Sequence, residues 1–337
     1  MAGKVVAILG ATGVVGTQMM QCLEERKFPV SRLVPLASER SVGKTVRFCD
    51  TDYPVQLATP QTFAGVDIVL GAAGDTQAAE LLPQAAQQGA VCIDNSHAFR
   101  LCDDVPLVIP EINRQDIACH PRNLIANPNC ATIIGLVPTW PLHQAAGIKR
   151  MIVSTYQAAS GAGMPGLNEL VREHRALDAG QDVGATDPFA YQLAYNLIPQ
   201  IGGFTEEGYT SEELKMQHEG RKIMHLPQFC VSCTCVRVPV MRSHSESITI
   251  DFETTFSPEE ARAILSEAPG VKVVDKPDEL VYPMPLDASD QDLILVGRIR
   301  RDLSSPQPER SLTFWCCGDQ IRKGAATNAV QIAECLL

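Results

Sequence analysis

The chain opens with short apolar runs that alternate with amphipathic segments. Lys4 to Leu9 form an apolar run without polar alternation, which is typical of a strand buried on both faces of a parallel sheet. Thr17 to Arg26 carries apolar residues at helical spacing. Further strands are predicted at 32–37, 66–70 and 90–93, and a helix at 76–88. This alternation over roughly the first 125 residues predicts an α/β fold, a doubly wound parallel sheet of Rossmann type.

The second half of the chain shows a mixed pattern. Strands are predicted at 151–157, 231–240, 246–254 and 293–299, and helices at 166–178, 210–221 and 258–267. Strands of antiparallel type interleaved with helices predict an α+β domain. A helix is also expected to start at Cys130, where Pro138 and Pro141 should kink it or limit it to about two turns. Residues 324–337 have helical apolar spacing.

The length and the net charge of the chain indicate how many domains it has and which partners are excluded. A chain of 337 residues is long enough for about two domains, each with its own core. The formal net charge of -11 argues against broad binding to nucleic acid or anionic lipid. The apolar stretch 131–142 is shorter than the roughly 20 residues of a membrane span. We expect no nucleic-acid or membrane partner and a cytoplasmic location, or the plastid stroma if a transit peptide was removed.

The chain contains 12 scattered cysteines, which we interpret as free thiols in a reducing compartment. The tightest group is Cys230, Cys233 and Cys235, which superficially resembles a zinc knuckle. A structural zinc site needs two ligand pairs separated by a loop, whereas Cys233 and Cys235 alternate along a predicted strand and should face the core. The adjacent pair Cys316 and Cys317 should point to opposite faces of a strand. No metal site is expected.

A glycine-rich turn, Gly10-Ala-Thr-Gly13-Val-Val-Gly16, joins the first strand to the first helix. Backbone N–H groups at such a helix N-terminus bind phosphate, and glycine allows a diphosphate to approach closely. The alternative is a tight turn in another kind of α/β protein, but the strand that follows favours a dinucleotide site. The residues predicted to contact the dinucleotide are Gly10, Thr12, Gly13, Val14, Val15 and Gly16.

The second strand ends near the expected position of the adenosine ribose. Arg40 and Ser41 follow it, and an arginine with a small hydroxyl donor suits a 2′-phosphate, which favours NADP. Glu39 could instead accept a ribose hydroxyl, so use of NAD as well remains open.

The strongest chemical signal is Asn127-Pro-Asn-Cys130, which precedes a helical run. A cysteine at a helix N-terminus has its thiolate stabilised by the helix dipole and free N–H groups, which predicts a nucleophile. The alternative is a buried structural cysteine, the more common environment of a free thiol.

Several motifs, in the same order along the chain, resemble those of the aspartate-semialdehyde dehydrogenase family. They are the glycine turn, Asp94-Asn-Ser-His-Ala-Phe-Arg100, Asn127-Pro-Asn-Cys130, Gln157-Ala-Ala-Ser-Gly-Ala-Gly163, Glu212-Glu-Leu-Lys215, Arg237-Val-Pro-Val-Met-Arg-Ser-His244 and Arg322-Lys-Gly-Ala-Ala-Thr-Asn328. The resemblance implies NADPH-dependent reductive dephosphorylation of L-aspartyl 4-phosphate to L-aspartate 4-semialdehyde, a step in lysine, threonine, methionine and isoleucine synthesis.

The resemblance also implies how the chain is organised. The C-terminal helix would return to the nucleotide domain, which gives an NADP-binding domain of 1–129 with 320–337 and a catalytic and dimerisation domain of 130–319. The expected partners are a small-molecule substrate, inorganic phosphate and a second copy in a homodimer. Assembly into a homotetramer is left open.

The resemblance assigns catalytic and substrate-binding roles. Cys130 attacks the acyl phosphate to form a thioester, which hydride reduces. His244 is the general acid or base and should titrate near neutrality. Gln157, at the end of a strand, orients the acyl group or donates to the oxyanion. Arg237 binds the substrate carboxylate through its two-pronged guanidinium. Glu212 binds the substrate ammonium.

Further residues are assigned to phosphate and cofactor. The predicted phosphate contacts are Arg100, Lys215 and Asn129, and the predicted cofactor contacts in the second domain are Ser160, Gly161 and Gln320. Many bacterial members have Asp-Asn where this chain has Asp319-Gln320, a version that looks more like the plant-type branch. Without the resemblance, Glu212 and Lys215 would read as an ordinary solvated helix pair.

Two other functions remain open. The first is a related acyl-phosphate or acyl-thioester reductase, such as a glutamyl-phosphate or malonyl-thioester enzyme. An acyl-thioester substrate would not need both Arg237 and Glu212, and the glutamyl-phosphate branch usually has Pro-Gly-Cys-Tyr, unlike Pro128-Asn-Cys130-Ala. A catalytically silent NADP-binding sensor would be expected to lose Cys130 or His244, and both are present.

Overall fold

The computed structural model describes residues 3–337. The chain forms two compact units, and the first comprises the residues up to Asn129 together with Gly324–Leu337. The second unit is Cys130–Lys323. The chain thus returns to the first unit at Gly324.

From residue 3 on, where the structure describes it, the first unit contains eight strands, three helices and a C-terminal helix. Its strands are β1 Lys4–Leu9, β2 Val30–Ala37, β3 Thr45–Phe48, β4 Thr51–Pro54, β5 Gln56–Leu57, β6 Ile68–Gly71, β7 Val91–Asp94 and β8 Leu124–Ala126. Its helices are α1 Val14–Glu25, α2 Asp75–Gln87 and α3 Pro110–Asn113, with short 3-10 turns at Glu39–Ser41, Pro60–Phe63 and Arg114–Ala118.

Six strands of this unit form one sheet in the order β5-β2-β1-β6-β7-β8. Every neighbouring pair is parallel, which confirms the predicted doubly wound fold. From β1 the chain moves first to β2 on one side and later to β6 on the other. The strand order therefore reverses at the end of β1, the place where α/β sheets bind nucleotides.

The second unit contains six strands and five helices. Its strands are β9 Ile148–Gln157, β10 Cys230–Arg237, β11 His244–Phe252, β12 Val271–Val273, β13 Ile294–Arg301 and β14 Ser311–Gly318. Its helices are α4 Cys130–Ala146, α5 Gly163–Asp178, α6 Ser211–Ile223, α7 Pro258–Glu267 and α8 Pro285–Ala288, with 3-10 turns at Ala159–Ala162, Pro277–Glu279 and Pro308–Arg310.

The sheet of the second unit is mixed. Its order is β10-β9-β11-β14-β13-β12. The pairs at the two edges, β9 with β10 and β12 with β13, are parallel, and the central pairs are antiparallel. This mixed sheet with its helices confirms the predicted α+β architecture.

Helix α4 corrects one expectation. It runs for 17 residues through Pro138 and Pro141, so the predicted limit of two turns is wrong. Pro138 has no N–H to donate to the carbonyl of Ile134, but the Cys316 thiol donates to that carbonyl instead, with 3.9 Å between sulfur and oxygen. Because most of α4 is buried, packing holds it together although both prolines lack the N–H of a helical backbone bond.

The C-terminal helix, α9 Thr327–Glu334, packs in the first unit. Its Glu334 accepts two hydrogen bonds from Arg26 of α1, at 2.8 and 2.7 Å. A two-pronged pair of this kind fixes the register between the two helices. Within residues 3–337 none of the helices combines the length and apolarity that a bilayer crossing requires.

Candidate active site

The glycine turn of the first unit has the geometry of a phosphate cradle. Gly10 has φ +90°, and a Cβ there would lie 2.6 Å from the carbonyl oxygen of Ala72. A Cβ at Gly16 would collide with the backbone of Gly10, so this glycine allows α1 to pack against the turn. Gly13, which lies between these two glycines in the sequence, is the N-cap residue of α1.

The N-terminus of α1 is open for an anion. The helix begins at Val14 rather than at Thr17 as predicted, so the amides of Val14 and Val15 lie in its first turn. No side chain caps this end, and no acidic residue lies in the first turn. First-turn N–H groups lack acceptors inside the helix, so they are suited to bind a diphosphate.

The segment after β2 contacts the glycine turn. The hydroxyls of Thr12 and Ser41 are 3.0 Å apart. Glu39 and Arg40 are exposed on the 3-10 turn Glu39–Ser41, whereas Ser41 is buried. The structure thus brings the predicted ribose residues to the predicted diphosphate loop, an arrangement that fits a dinucleotide carrying a 2′-phosphate.

Cys130 is the first residue of α4, as the sequence predicts for a nucleophile. Its side chain is partly exposed, whereas the preceding Asn129 is buried. Burial lowers the pKa of the Arg237 guanidinium, and the nearby negative charge of Cys130 opposes this effect. Because the attraction is mutual, Arg237 and the helix dipole both favour the thiolate.

Three strand ends meet beside each other in the second unit. Gln157 and Arg237 are the last residues of the parallel strands β9 and β10, and they are paired in register. His244 starts β11, which runs antiparallel to β9. The topology of the sheet therefore places a glutamine, an arginine and a histidine together, although they are far apart in sequence.

Ala158 holds two of these side chains. Its N–H donates to Nδ1 of His244 over 3.0 Å. Its carbonyl accepts from Nη1 of Arg237 over 2.7 Å. Since Nδ1 is an acceptor here, the neutral imidazole carries its proton on Nε2.

The environment of His244 corrects a second expectation. The ring is fully buried, and burial together with the positive charge of Arg237 lowers the pKa of His244 to about 3. The predicted titration near neutrality is therefore wrong. Desolvation disfavours the imidazolium, and the backbone donor at Nδ1 leaves no acceptor for a second proton.

Gln157 links the histidine to helix α6. Its Nε2 donates to Oε1 of Glu212 over 3.2 Å and lies 3.5 Å from Nε2 of His244. Since His244 carries its proton on Nε2, two N–H donors lie side by side. Such a pair is suited to donate to one oxygen that develops negative charge.

Glu212 and Lys215 lie in the first turns of α6. The Lys215 ammonium is 2.8 Å from Oε2 of Glu212, so both carboxylate oxygens of Glu212 have partners. Thr210 and Glu213 form a capping box at the start of this helix. Oε1 of Glu213 also accepts from the N–H of Cys235 over 3.0 Å, which connects α6 to the strand that carries Arg237.

Arg237 is buried, and its guanidinium carbon lies 5.8 Å from the centre of the Phe189 ring. It borders a cavity of about 190 Å³ whose wall includes Phe189, Ile198 and Gln200. Burial lowers the pKa of Arg237, and the charges of Glu212 and Cys130 act in the opposite direction. A buried guanidinium with a cavity beside it is suited to bind a carboxylate.

The glycine-rich loop after β9 approaches this cluster. A Cβ at Gly161 would lie 2.6 Å from Nη1 of Arg237 and 3.2 Å from the His244 ring. Ser160 accepts a hydrogen bond from the side chain of Gln320, whose amide oxygen accepts from the N–H of Ser243 over 2.8 Å. The structure thus brings Ser160 and Gln320 together, and their contact with the cofactor stays a prediction.

Arg100, in the first unit, is buried rather than exposed. It donates to the backbone carbonyls of Asn127 and Asn95 at 3.0 and 2.9 Å. These bonds anchor the segment that leads to Cys130. A role of Arg100 or Asn129 in phosphate binding stays a prediction.

Three residues contribute to the site without having been predicted from the sequence, namely Ala158, Phe189 and Glu213. The spacing of Thr210 and Glu213 is a capping-box signature and could have revealed Glu213. Phe189 lies in a segment with neither helix nor strand, so no periodicity marks it. The role of Ala158 depends on its backbone alone, for which its residue type carries no signal.

Of the three clustered cysteines, Cys230 is exposed and the other two are buried in the sheet. Cys233 and Cys235 are buried on β10 with their sulfur atoms 3.6 Å apart. All 12 cysteines lie in the described residues, and none of them forms a disulfide bond. No group of three His, Cys, Asp or Glu side chains in residues 3–337 is arranged to hold a metal ion.

Comparison with known proteins gives a consistent result over the whole chain. Residues 5–120 match the family model "Semialdehyde dehydrogenase, NAD binding domain", and residues 140–323 match "Semialdehyde dehydrogenase, dimerisation domain". The chain is 49% identical to the aspartate-semialdehyde dehydrogenase of Aquifex aeolicus, covering 99% of this chain and 98% of that relative. It is 46% identical to the Synechocystis enzyme of the same name, covering 98% and 97%.

A solved structure agrees with this result. The crystal structure of aspartate semialdehyde dehydrogenase II from Vibrio cholerae, complexed with ASA, has a TM-score of 0.96 to this chain at 43% identity. The match covers 100% of this chain and 98% of the other.

Proposed function

The chain belongs to the aspartate-semialdehyde dehydrogenase family, and on this basis we propose the reaction and the roles of its residues. The reaction is the NADPH-dependent reductive dephosphorylation of L-aspartyl 4-phosphate to L-aspartate 4-semialdehyde, through a thioacyl intermediate on Cys130. It serves the synthesis of lysine, threonine, methionine and isoleucine. The observation that carries the proposal is the convergence of Gln157, Arg237, His244 and Glu212 in the unit that begins with Cys130.

Two charged side chains select an amino acid. Arg237 binds the α-carboxylate of the substrate, and Glu212 binds its ammonium group. In the structure the Lys215 ammonium lies 2.8 Å from a carboxylate oxygen of Glu212 and neutralises its charge. The substrate ammonium replaces Lys215 at this carboxylate, and Lys215 then becomes available to a phosphate group.

The covalent step is simplest to follow from the aldehyde. The Cys130 thiolate attacks the aldehyde carbon, and negative charge develops on the oxygen of the thiohemiacetal. The N–H groups of Gln157 and His244, whose nitrogens are 3.5 Å apart, donate to that oxygen. His244 thus acts first as a neutral hydrogen-bond donor, a role that its fixed tautomer suits.

The glycine turn and the segment after β2 hold the dinucleotide. The amides of Val14 and Val15 bind its diphosphate, and Arg40 with Ser41 binds the 2′-phosphate that distinguishes NADP from NAD. When bound, NADP supplies the hydride acceptor that oxidation of the thiohemiacetal requires.

Inorganic phosphate completes the reaction in this direction. A phosphate oxygen attacks the carbonyl carbon of the Cys130 thioester, and the thiolate leaves as the acyl phosphate forms. Lys215 neutralises the phosphate charge as it approaches, and Arg100 and Asn129 are the further phosphate contacts that we propose. The thiolate is a good leaving group because its pKa is far below that of an alcohol.

We also propose the assembly and location of the enzyme. The match of residues 140–323 to a dimerisation domain supports a homodimer, and a homotetramer is the alternative that sedimentation would reveal. Twelve free cysteines suit a reducing compartment, the cytoplasm or the plastid stroma.

An assay of NADPH formation tests the proposed function. Purified protein is mixed with L-aspartate semialdehyde, NADP and phosphate, with parallel reactions that contain arsenate, NAD or glutamate semialdehyde. We expect turnover that depends on phosphate or arsenate and is specific for the aspartate compound. Turnover on glutamate semialdehyde alone, or NADP binding without any turnover, would contradict the proposal.

A further inference from the structure

The side-chain amide of Gln157 has two chemically different ends. In the proposed reaction its NH2 end must face the developing oxyanion, because an amide oxygen in that place would repel negative charge. The structure has this orientation, with Nε2 directed to Glu212 and His244. A residue that fixes the orientation would therefore affect catalysis without touching the substrate.

Thr155 is placed to do this. It lies two residues before Gln157 on β9, so both side chains point to the same face of the sheet. Its side chain is fully buried. Its hydroxyl donates to Oε1 of Gln157 over 2.9 Å, at the end of the amide opposite to the two active-site contacts.

We propose that Thr155 is a positioning residue that sets which end of the Gln157 amide faces the active site. The inference rests on the proposed function, because that reaction gives Gln157 its role as a donor. The Thr155 hydroxyl donates to the amide oxygen of Gln157, and Glu212 accepts from its amide nitrogen. Together they leave a donor beside Nε2 of His244.

The two orientations differ in electrostatics as well as in hydrogen bonds. In the reversed amide, the oxygen of Gln157 would face the carboxylate of Glu212, where two acceptors repel each other. Without the Thr155 hydroxyl, however, the buried amide oxygen of Gln157 loses the donor shown here, and this favours reorientation or withdrawal of the side chain. Either outcome removes one donor from the developing oxyanion.

The test uses variants that separate the hydroxyl from the shape of Thr155. Thr155→Val removes the hydroxyl and keeps the branched shape, whereas Thr155→Ser keeps the hydroxyl. We expect Thr155→Val to lower kcat roughly tenfold, the loss of one net hydrogen bond to a buried group, with the KM for phosphate unchanged. Thr155→Ser should restore most of the rate. If Thr155→Val does not fold, Thr155→Ala serves as the second variant without a hydroxyl.

Thr249→Val is the matched control. Thr249 lies on the neighbouring strand β11, and its hydroxyl is 2.9 Å from that of Thr313 rather than near Gln157. The same loss of a hydroxyl there should leave kcat unchanged. An equal loss of kcat in Thr249→Val would mean that the effect comes from the sheet and not from Gln157.

A double-mutant cycle with Gln157→Ala shows whether Thr155 acts through Gln157. We expect Thr155→Val to have no further effect on kcat in the Gln157→Ala background. Additive losses, wild-type kcat in Thr155→Val, or failure of Thr155→Ser to restore the rate would overturn the proposal.

A readout that does not depend on turnover separates this proposal from the proposed function. In 15N NMR spectra the side-chain NH2 of Gln157, identified by its loss in Gln157→Ala, should exchange slowly with water in the wild type. It should exchange faster in Thr155→Val. Unchanged exchange would overturn the role of Thr155, whereas a wild type without semialdehyde turnover would contradict only the proposed function.

Discussion

At position 161 the active site has no room for a side chain. A Cβ on Gly161 would lie 2.6 Å from Nη1 of Arg237, and the guanidinium is held in place by the carbonyl of Ala158. We expect Gly161→Ala to displace Arg237 and to raise the KM for the semialdehyde roughly tenfold or more, because a bidentate contact depends on its geometry. Steady-state kinetics with varied semialdehyde measures this change.

Gly203→Ala is the control for this substitution. A Cβ at Gly203 would meet nothing within 4 Å, and the residue belongs to the same unit. Its KM should equal that of the wild type. An unchanged KM in Gly161→Ala would contradict the close approach of Gly161 to Arg237.

His244 should remain neutral across the physiological pH range. Burial and the charge of Arg237 lower the pKa of His244 to about 3, so the folded protein protonates this ring only in strong acid. An NMR titration of the imidazole from about pH 8 to pH 5, with His244→Gln to identify the signal, should show no change of charge. A midpoint between about pH 6 and 7 would contradict the fixed tautomer.

The same shift affects stability. In the unfolded chain a histidine takes up a proton near pH 6.5, its ordinary value, whereas folded His244 does so only near pH 3. Between these two values the unfolded state binds more protons. His244 therefore favours unfolding progressively as the pH falls through this window, and its contribution is constant above it.

Among the elements, helix α6 is fixed to the sheet by one carboxylate. Glu213 accepts from the N–H of Thr210 over 2.7 Å and from the N–H of Cys235 over 3.0 Å. It thus joins the helix that carries Glu212 to the strand that carries Arg237. We expect Glu213→Ala to reduce the free energy of unfolding by about 1–2 kcal/mol and to raise the KM for the semialdehyde.

The capping box of α7 supplies the control for Glu213. Glu260 accepts from the N–H of Ser257 over 2.8 Å in the same local motif, and it is exposed. Glu260→Ala should affect stability less and leave KM unchanged. Chemical denaturation and kinetics of both variants check the prediction, and an equal effect on KM would mean that Glu213 acts only as a helix cap.

The elements were predictable where local pattern decides them. The continuous apolar run of β1 and the glycine turn after it gave the first strand and the position of α1, because both signals lie within a few residues. The length of α4 was not predictable, since the backbone donor that Pro138 lacks is replaced by a thiol from a distant strand. Nothing in the sequence near Pro138 indicates that the Cys316 thiol would donate to the carbonyl of Ile134.

The tautomer and the pKa of His244 in the site could also not be predicted from the sequence. Residue types and motifs indicated Cys130, Gln157, Arg237 and His244, but the tautomer of His244 depends on the N–H of Ala158. The low pKa of His244 depends on burial and on Arg237, which lies on another strand. Such properties arise only when the three strand ends meet.

On the scale of the whole molecule, each unit meets one chemical requirement of the proposed reaction. The first unit presents a helix N-terminus without an acidic residue or a side-chain cap, which suits a dinucleotide. The second unit carries the thiol and the charged groups that we propose select an amino acid. Since the formal net charge is -11, we propose that local positive groups, such as Arg237 and Lys215, bind the anionic ligands.

The central claim is that the reaction passes through an acyl group on Cys130. The most direct test mixes the enzyme with L-aspartate semialdehyde and NADP in the absence of phosphate, and follows NADPH by stopped flow and the protein by intact mass spectrometry. We predict a burst of one NADPH per chain and a mass increase of one aspartyl group, located on the Cys130 peptide and absent in Cys130→Ser. An NADPH burst without this adduct, or an adduct that persists in Cys130→Ser, would contradict the account.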